Sequence, residues 1–212
     1  MLKIWGRTDS SNVQAAMWCI AELGLPSERI DAGHRFGVND TPGFLAMNPN
    51  GTVPVLQDGD NPPLWETGAI LRYLGNRYGS APFWPEELIA RTEVDRWAEW
   101  SKINIALGFT MPVFWQVVRT PAERRDPAAI ARAVTALETK LRIAEDRLAR
   151  HAWLVGEDFT LADIQFGHCL YRYYDIDIAR GALPALRRYY DRLTERPAYR
   201  AHVMTGYEAL RL

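Results

Sequence analysis

The first part of the chain alternates short apolar runs with stretches in which apolar residues recur at helical spacing. The runs have the length and flanking turn residues of β-strands, and the amphipathic stretches have the length of helices. The predicted strands are Leu2–Gly6, Glu28–Ala32, Pro54–Gln57 and Leu64–Trp65, and the predicted helices are Ser10–Gly24 and Thr67–Tyr78. This alternation predicts a small α/β unit.

The pattern changes after Gly79, where Ser80, Pro82 and Pro85 interrupt any regular element. Beyond this break, apolar residues follow helical spacing only. One long helix carries Trp97 to Val118 and contains Pro112, which predicts a kink. We therefore expect an α/β domain over residues 1–79, a linker over 80–86 and an all-helical domain over 87–212.

One helix start in the second half has a distinct signature. Thr160 stands at a helix N-cap and Asp163 three residues later, the arrangement of a capping box. Such a motif stabilises a helix and does not catalyse. Loss of Thr160 is expected to cost about 1 kcal/mol, and up to about 2 kcal/mol.

Composition limits the classes of partner. Lys and Arg total 25 against 26 Asp and Glu, so no overall field favours nucleic acid or an anionic membrane. No apolar run approaches the length of a bilayer span and no secretory signal is visible, so we expect a cytoplasmic location. Cys19 and Cys169 lie in helical apolar patterns, which indicates buried thiols. The four histidines have no ligand spacing, and we expect no metal.

The stretch from Asn48 to Leu74 carries the candidate chemistry. Pro54, at the first residue of a strand, has no backbone N–H to donate to the sheet. The backbone of Val53 is therefore left free to pair with another chain segment, and an extended peptide is the natural candidate. Thr67 opens the next helix, whose free N–H groups and positive dipole end favour a carboxylate. Together these features predict a site for a short acidic peptide.

These motifs occur in an order that identifies a family. Ser10-X-Asn12-X-Gln14 begins the first helix, Asn-Pro-Asn-Gly-Thr-Val-Pro precedes the third strand, Glu66-Thr67 begins the next helix, and a Thr-X-X-Asp box lies in the helical half. In this order the chain resembles the cytosolic glutathione transferases over essentially its whole length. It is most similar to the bacterial, theta-like members with a serine-type active site.

The resemblance implies a thioredoxin-like domain that binds glutathione as co-substrate, followed by a helical bundle domain that helps to form the pocket for an electrophile. Ser10 falls on the position whose hydroxyl faces the thiol, and Asn12 falls close to the same sulfur. The glutathione-binding positions implied are Thr52, Val53, Pro54, Glu66 and Thr67. The expected function is conjugation of the glutathione thiolate to small hydrophobic electrophiles, by a homodimer.

Several assignments have competing interpretations. Ser10 or Ser11 is also a natural N-cap, and either could face the sulfur. Arg35 or His34, in the loop after the second strand, could hold the glycyl carboxylate. Many relatives carry Lys, Arg or Gln just before Val-Pro, whereas this chain has Thr52. Four residues of the long helix are candidates for the electrophile pocket, although helical spacing also fits a core role. They are Phe109, Met111, Phe114 and Trp115.

Other functions are compatible with the same fold. The enzyme alternatives are reduction of disulfides or peroxides with glutathione, which Asn12 would allow, and isomerisation of an activated double bond. The alternative from a different class is a non-catalytic binding module like the transferase-like domain of an elongation factor subunit, because a fold alone does not confer activity.

Overall fold

A four-stranded sheet forms the centre of the amino-terminal part of the chain. The computed structural model describes residues 1–212. The sheet has the order β2-β1-β3-β4, with β1 parallel to β2 and antiparallel to β3, and with β3 antiparallel to β4. Its elements in chain order are β1 (Leu2–Trp5), α1 (Ser11–Glu22), β2 (Ser27–Ile30), α2 (Pro42–Met47), β3 (Val55–Asp58), β4 (Leu64–Trp65) and α3 (Thr67–Tyr78).

This arrangement is the thioredoxin-like fold that the resemblance implies. A β-α-β crossover is followed by an antiparallel hairpin and a helix, and the predicted strands and helices appear within about two residues of their expected bounds. Helix α2 is not among the elements predicted from the sequence. Its signal is local: the Thr41 hydroxyl accepts a hydrogen bond from the Phe44 N–H, and Pro42 stands at the first helical position.

The amino-terminal unit includes a segment from near the end of the chain. The chain divides into one compact unit of residues 1–79 with 198–205, and a second of residues 80–197 with 206–212. Residues 198–205, predicted from the sequence to lie in the helical domain, belong to the first unit. The aromatic ring of Tyr199 meets the indole of Trp18 edge to face at 4.7 Å, and both side chains are fully buried. Apolar burial places this segment with the first unit.

The second unit is helical throughout. Its helices are α4 (Leu88–Trp100), α5 (Leu107–Phe109), α6 (Trp115–Val118), α7 (Pro127–Leu148), α8 (Leu161–Gly167), α9 (Leu170–Asp175) and α10 (Pro184–Glu195). The last helix, α11 (Pro197–His202), belongs to the first unit except for Pro197. The helical path from α4 to α6 continues through two π-helical stretches, Ser101–Ala106 and Thr110–Phe114. The second of these contains Pro112, whose missing N–H accounts for an irregular turn at the predicted kink.

The capping box at α8 is the polar centre of the helical unit. Asp163 is fully buried, and its carboxylate accepts hydrogen bonds from the Thr160 N–H at 2.8 Å and the Leu154 N–H at 3.1 Å. The Tyr189 hydroxyl donates to it at 3.0 Å and the Thr160 hydroxyl at 3.1 Å. One carboxylate therefore joins the start of α8 to the preceding loop and to α10.

Both cysteines are buried. Burial raises the pKa of the Cys169 thiol to about 12, and burial also raises the pKa of the Cys19 thiol. Neither thiol is therefore an available nucleophile at neutral pH. No helix combines the length and hydropathy needed to cross a bilayer, and no group of three or more His, Cys, Asp and Glu side chains is placed to hold a metal.

Candidate active site

The turn between β1 and α1 places Ser10 at the N-cap of the first helix. Its backbone N–H donates to the Arg7 carbonyl at 3.2 Å, and its carbonyl accepts from the Gln14 N–H at 2.9 Å. The residue is 8% exposed, yet its hydroxyl makes no capping hydrogen bond. The backbone occupies the N-cap position, but the hydroxyl is not used to cap the helix. Ser11 is the first helical residue and Asn12 the second.

Glycine at position 6 brings two parts of the candidate site close together. A Cβ atom at Gly6 would lie 2.3 Å from the Val13 Cγ2 and 3.3 Å from the Val53 Cβ. Both distances are shorter than ordinary van der Waals contact. Only glycine allows α1 and the Val53 turn to approach the end of β1 this closely.

We expect Gly6→Ala to destabilise the protein by about 2 kcal/mol, because the added methyl overpacks a closed contact with Val13 and Val53. Gly43→Ala is the matched control. A Cβ there meets nothing within 4 Å, and the residue is helical, so its stability should be unchanged or raised by up to about 1 kcal/mol. Denaturant unfolding of both variants measures the difference. Equal stabilities would show that the contact at Gly6 is not restrictive.

The Val53 turn has unused backbone hydrogen-bonding groups. The Val53–Pro54 peptide bond is cis, and the Val53 side chain packs against a cluster of Ala32, Phe44 and Val55. The Val53 N–H and C=O form no hydrogen bond within the chain. This turn therefore has the free peptide groups that an extended ligand backbone requires.

Asn48 holds this turn in place, and its role was not recognised from the sequence. Its side chain is buried, and its Nδ2 donates to the Thr52 carbonyl at 2.8 Å and to the Thr52 hydroxyl at 3.2 Å. Its Oδ1 accepts from the Asn50 N–H at 3.0 Å. The Thr52 carbonyl is thus occupied, and the N–H and C=O of Val53 are left free. An Asn before Pro-X-Gly is a turn signal that could have indicated this.

The sheet register sets Glu66 and Thr67 beside the same turn. Val55 is paired with Trp65 in the antiparallel β3–β4 ladder. Pro54 directly precedes Val55, and Glu66 and Thr67 directly follow Trp65. This pair therefore holds the Val53–Pro54 turn and the start of α3 at the same end of the β3–β4 ladder.

Glu66 and Thr67 have unusual local features. Glu66 has φ 69° and ψ 120°, a conformation that costs a residue with a side chain about 1–3 kcal/mol. Thr67 is 1% exposed at the first residue of α3, and its hydroxyl has no hydrogen-bond partner. A buried hydroxyl without a partner is unfavourable and is usually found where a ligand or water completes the bond. The N-terminal end of α3 adds unpaired N–H groups and a positive dipole.

Charged residues flank the Ser10 turn. Asp9 is buried, and its carboxylate is paired with Arg7 at 2.8 Å and with Arg35 at 3.2 Å. Arg35 also lies over the ring of Phe36, with its guanidinium carbon 4.7 Å from the ring centre. The side chain of Arg35 is 45% exposed. The guanidinium predicted for the glycyl carboxylate is therefore held by Asp9, in an ion pair between residues 26 positions apart that local sequence patterns do not indicate.

The four residues predicted for the electrophile pocket separate into two groups. Phe109 and Phe114 are each 1% exposed, and their ring centres lie 5.9 Å apart within the helical core. For these two residues the structure corrects the prediction: both have core positions that leave no ring surface free. Met111 is 58% exposed, and Trp115 is partly exposed with Arg119 over its ring. Only Met111 and Trp115 remain candidates.

Two cavities lie apart from these predicted residues. One of about 380 Å³ in the helical unit is bordered by Val117, Arg125, Ile130, Val134 and Ile178, among others. A smaller one of about 200 Å³ in the first unit is bordered by Thr8, Gln14, Arg29, His202 and Thr205, among others. Neither includes a predicted glutathione or electrophile residue.

Comparison with known families identifies the chain. Residues 1–76 match the glutathione S-transferase N-terminal domain, and residues 108–197 match the glutathione S-transferase C-terminal domain. The chain belongs to the glutathione S-transferase family. Like other enzymes of this family, it combines an α/β domain and a helical domain in one chain.

Individual relatives of this transferase extend the match to nearly the whole chain. It is 37% identical over 205 residues to glutathione S-transferase GstB of Escherichia coli K12, covering 96% of this chain and 98% of that protein. The crystal structure of the theta class glutathione S-transferase from Xanthomonas axonopodis pv. citri with glutathione bound is 44% identical, with a TM-score of 0.91 and coverage of 97% and 98%. A probable elongation factor 1-gamma 2 of Arabidopsis thaliana is 33% identical over 138 residues, or 63% of this chain and 32% of that protein.

Proposed function

We propose that this transferase binds glutathione along the Val53 turn and conjugates the glutathione thiolate to small hydrophobic electrophiles. The observation that carries the proposal is that, at one end of the β3–β4 ladder, Val53 has free peptide groups and Thr67 has a buried hydroxyl without a partner. A dipeptide-like ligand with a carboxylate at one end complements both. The glutathione bound to the relative from Xanthomonas supports this choice of ligand.

Each part of glutathione has a candidate binding group in the protein. The cysteinyl backbone pairs with the free N–H and C=O of Val53, in the manner of an added strand. The γ-glutamyl carboxylate accepts from the Thr67 hydroxyl and from the N–H groups that begin α3, while Glu66 faces the γ-glutamyl amine. Arg35, with its guanidinium held by Asp9, is the candidate for the glycyl carboxylate.

The reaction requires the thiol of glutathione to be ionised. A cysteine-like thiol has a pKa of about 8.5, so it is mostly protonated at neutral pH. The Ser10 hydroxyl, which is not used as a helix cap, donates a hydrogen bond to the sulfur anion, and the start of α1 adds a favourable dipole. Asn12 lies on the same first turn. Lowering the pKa by about two units requires about 2.7 kcal/mol, which one charge-assisted bond and a dipole together supply.

The chemical step is then a nucleophilic substitution or addition by sulfur. With an aryl halide, the sulfur–carbon bond forms, halide leaves, and the thiol proton passes to solvent. Ser10 stabilises the nucleophile and is not itself a nucleophile. Met111 and Trp115 are the candidates for contact with the apolar part of the electrophile.

Binding tests the proposal through Thr67→Val. Because the Thr67 hydroxyl has no partner in the free protein, removing it should leave the free energy of unfolding unchanged or raise it by up to about 1 kcal/mol. The same change should weaken glutathione binding about tenfold or more, since a charge-assisted hydrogen bond is lost. Isothermal titration calorimetry with reduced glutathione measures the affinity.

The control for that variant is Thr139→Val, which removes an exposed hydroxyl that donates to the Thr135 carbonyl on α7. It should leave glutathione binding unchanged. Absence of binding by the wild-type protein, or equal affinities of the wild type and Thr67→Val, would contradict the assignment.

The relative named as an elongation factor subunit supports one alternative, a non-catalytic module with the same fold. A module of that kind would fail to turn over a chromogenic aryl halide with glutathione. Reduction of disulfides or peroxides is the enzyme alternative. Cys169 is buried and its thiol pKa is high, so it does not serve as a protein nucleophile for that reaction. Steady-state assays with an aryl halide and with a disulfide separate the three functions.

We further propose that the protein acts in the cytoplasm, in detoxification, as a two-fold homodimer. Closed two-fold dimers are the commonest homo-oligomers. Leu88 and Ile89 at the start of α4 are 63% and 69% exposed, which offers apolar surface for such an association. Light scattering in solution should give twice the mass of one chain.

A further inference from the structure

The loop that carries Ser10 is tied to a segment from the other end of the chain. The Gln14 side chain is 1% exposed, and its Nε2 donates to the Thr8 carbonyl at 3.0 Å and to the Thr205 hydroxyl oxygen at 2.8 Å. The Thr205 hydroxyl in turn donates to the Thr8 carbonyl at 3.5 Å. Three groups thus form one closed set of hydrogen bonds.

The orientation of the Gln14 amide follows from these partners. The Thr8 carbonyl can only accept, so the amide nitrogen must face it. The amide oxygen then lies buried with no hydrogen-bond partner. The fold thus keeps an unfavourable unpaired acceptor while it maintains the link from α1 to Thr8 and Thr205.

Hydrogen bonding rather than close packing holds the loop on this side. Thr8, Gln14 and Thr205 border the cavity of about 200 Å³ in the first unit. Because this cavity leaves Thr8 loosely packed on one side, apolar contacts alone would not fix the position of its peptide group. The segment that supplies Thr205 is itself anchored, because Tyr199 packs on Trp18 in the core of the first unit.

We propose that Gln14 and Thr205 are positioning residues that hold the Ser10 hydroxyl in place for the thiol. Thr8 lies two residues before Ser10, and the Ser10 N–H is bonded to the Arg7 carbonyl on the other side of Thr8. A shift of the Thr8 peptide therefore moves the Ser10 turn. This inference rests on the proposed function, because it assigns a consequence to the placement of Ser10.

Positioning and binding are separable at this site. In the proposed function glutathione is held by Val53 and Thr67, whereas the side chains of Gln14 and Thr205 hydrogen-bond to each other and to Thr8. Loss of the Thr205 hydroxyl should thus lower kcat and raise the pKa of the bound thiol with little change in the KM for glutathione. Rates depend steeply on such placement, and a displacement of about 1 Å can cost about 100-fold.

The experiment compares Thr205→Val, which removes the hydroxyl at nearly constant shape, with Thr205→Ser, which retains it. In Thr205→Val we expect kcat to fall about tenfold with the KM for glutathione close to wild type, and the thermal midpoint to fall by only a few degrees because one buried N–H of Gln14 loses its acceptor. Thr205→Ser should restore most of the rate. Thr92→Val, which removes an exposed hydroxyl bonded to the Leu88 carbonyl, is the control and should behave as wild type.

Amide hydrogen exchange in the absence of glutathione gives a readout that does not depend on the proposed function. In Thr205→Val the Ser10 amide should exchange about tenfold faster than in wild type, while Thr205→Ser and Thr92→Val should not differ from wild type. Unchanged exchange at Ser10 in Thr205→Val would overturn the positioning role. Faster exchange with no turnover by the wild type would instead show that the proposed function is wrong. If Thr205→Val has the thiol pKa and kcat of the wild type, the proposed link between the position of the Ser10 turn and catalysis is wrong.

Discussion

Asp163→Ala is expected to destabilise the protein by about 4 kcal/mol or more, the largest effect that we predict for a single substitution on stability. The carboxylate accepts from two backbone N–H groups, at Thr160 and Leu154, and from the Tyr189 hydroxyl, all in a buried site. Removing it leaves these donors without partners, and each costs about 1–3 kcal/mol. Denaturant unfolding followed by circular dichroism measures the loss.

Asp126→Ala is the matched control for that variant. Asp126 caps α7 on the surface, where its carboxylate accepts one hydrogen bond from the Ala129 N–H at 2.9 Å. Its loss should cost only about 1 kcal/mol, since water can replace it. If Asp163→Ala does not fold, Tyr189→Phe still tests the network and should cost about 1 kcal/mol. A loss of less than about 1.5 kcal/mol in Asp163→Ala would contradict the role of this carboxylate.

The same residue has a pH dependence with a definite sign. Burial raises the pKa of Asp163 to about 6, although the hydrogen bonds from Thr160, Leu154 and Tyr189 oppose the shift. The unfolded chain has a pKa of about 3.9. Because the folded state binds the proton more tightly, this group favours folding most below pH 4, and its contribution declines as the pH rises to about 6. The difference in stability between the wild type and Asp163→Asn should therefore shrink between about pH 4 and pH 6.

Ser10→Ala is expected to lower kcat/KM for conjugation at pH 7 by about 10- to 100-fold. The hydroxyl is free of capping bonds, so its loss does not weaken α1 through a missing cap. In the proposed mechanism, the substitution removes a charge-assisted hydrogen bond to sulfur, worth about 1.5–3 kcal/mol, which is one to two units of thiol pKa. The rate should recover at higher pH, because the thiolate then forms without help. A pH–rate profile with a chromogenic aryl halide measures both effects.

Ser11→Ala is the control that distinguishes the two serines. Ser11 is the first helical residue and is not at the N-cap, so its replacement should change kcat/KM by less than about threefold. Equal losses in the two variants would mean that the hydroxyl facing sulfur is not that of Ser10 alone. No loss in Ser10→Ala would remove Ser10 from the mechanism.

The fold was largely predictable because its signals are local. Strand and helix periodicity located the elements of the first unit, and Thr160 with Asp163 predicted the capping box that the structure contains. The resemblance to the family rests on short motifs near Ser10, Val53 and Thr67. Each lies at a turn or a helix start, where only a few residue types supply the required backbone geometry or hydrogen bonds.

What the sequence could not give were relations between distant residues. The contact of Gln14 with Thr205 joins residues 191 positions apart, and the ion pair of Arg35 with Asp9 joins two loops. Phe109 and Phe114 were misassigned to a pocket because helical spacing alone does not distinguish a core side chain from a ligand-facing one. A threonine in the first turn of a helix is common, so the sequence alone does not distinguish Thr67. Its hydroxyl is unusual only because it is buried without a hydrogen-bond partner.

The most direct test is a pH titration of the thiolate absorbance of glutathione bound to the wild-type protein. We predict an ionisation midpoint about two units below that of free glutathione, with the shift reduced by at least one unit in Ser10→Ala. A midpoint equal to that of the free tripeptide, or no glutathione-dependent signal at saturating ligand, would contradict the proposal that this site binds glutathione as its thiolate.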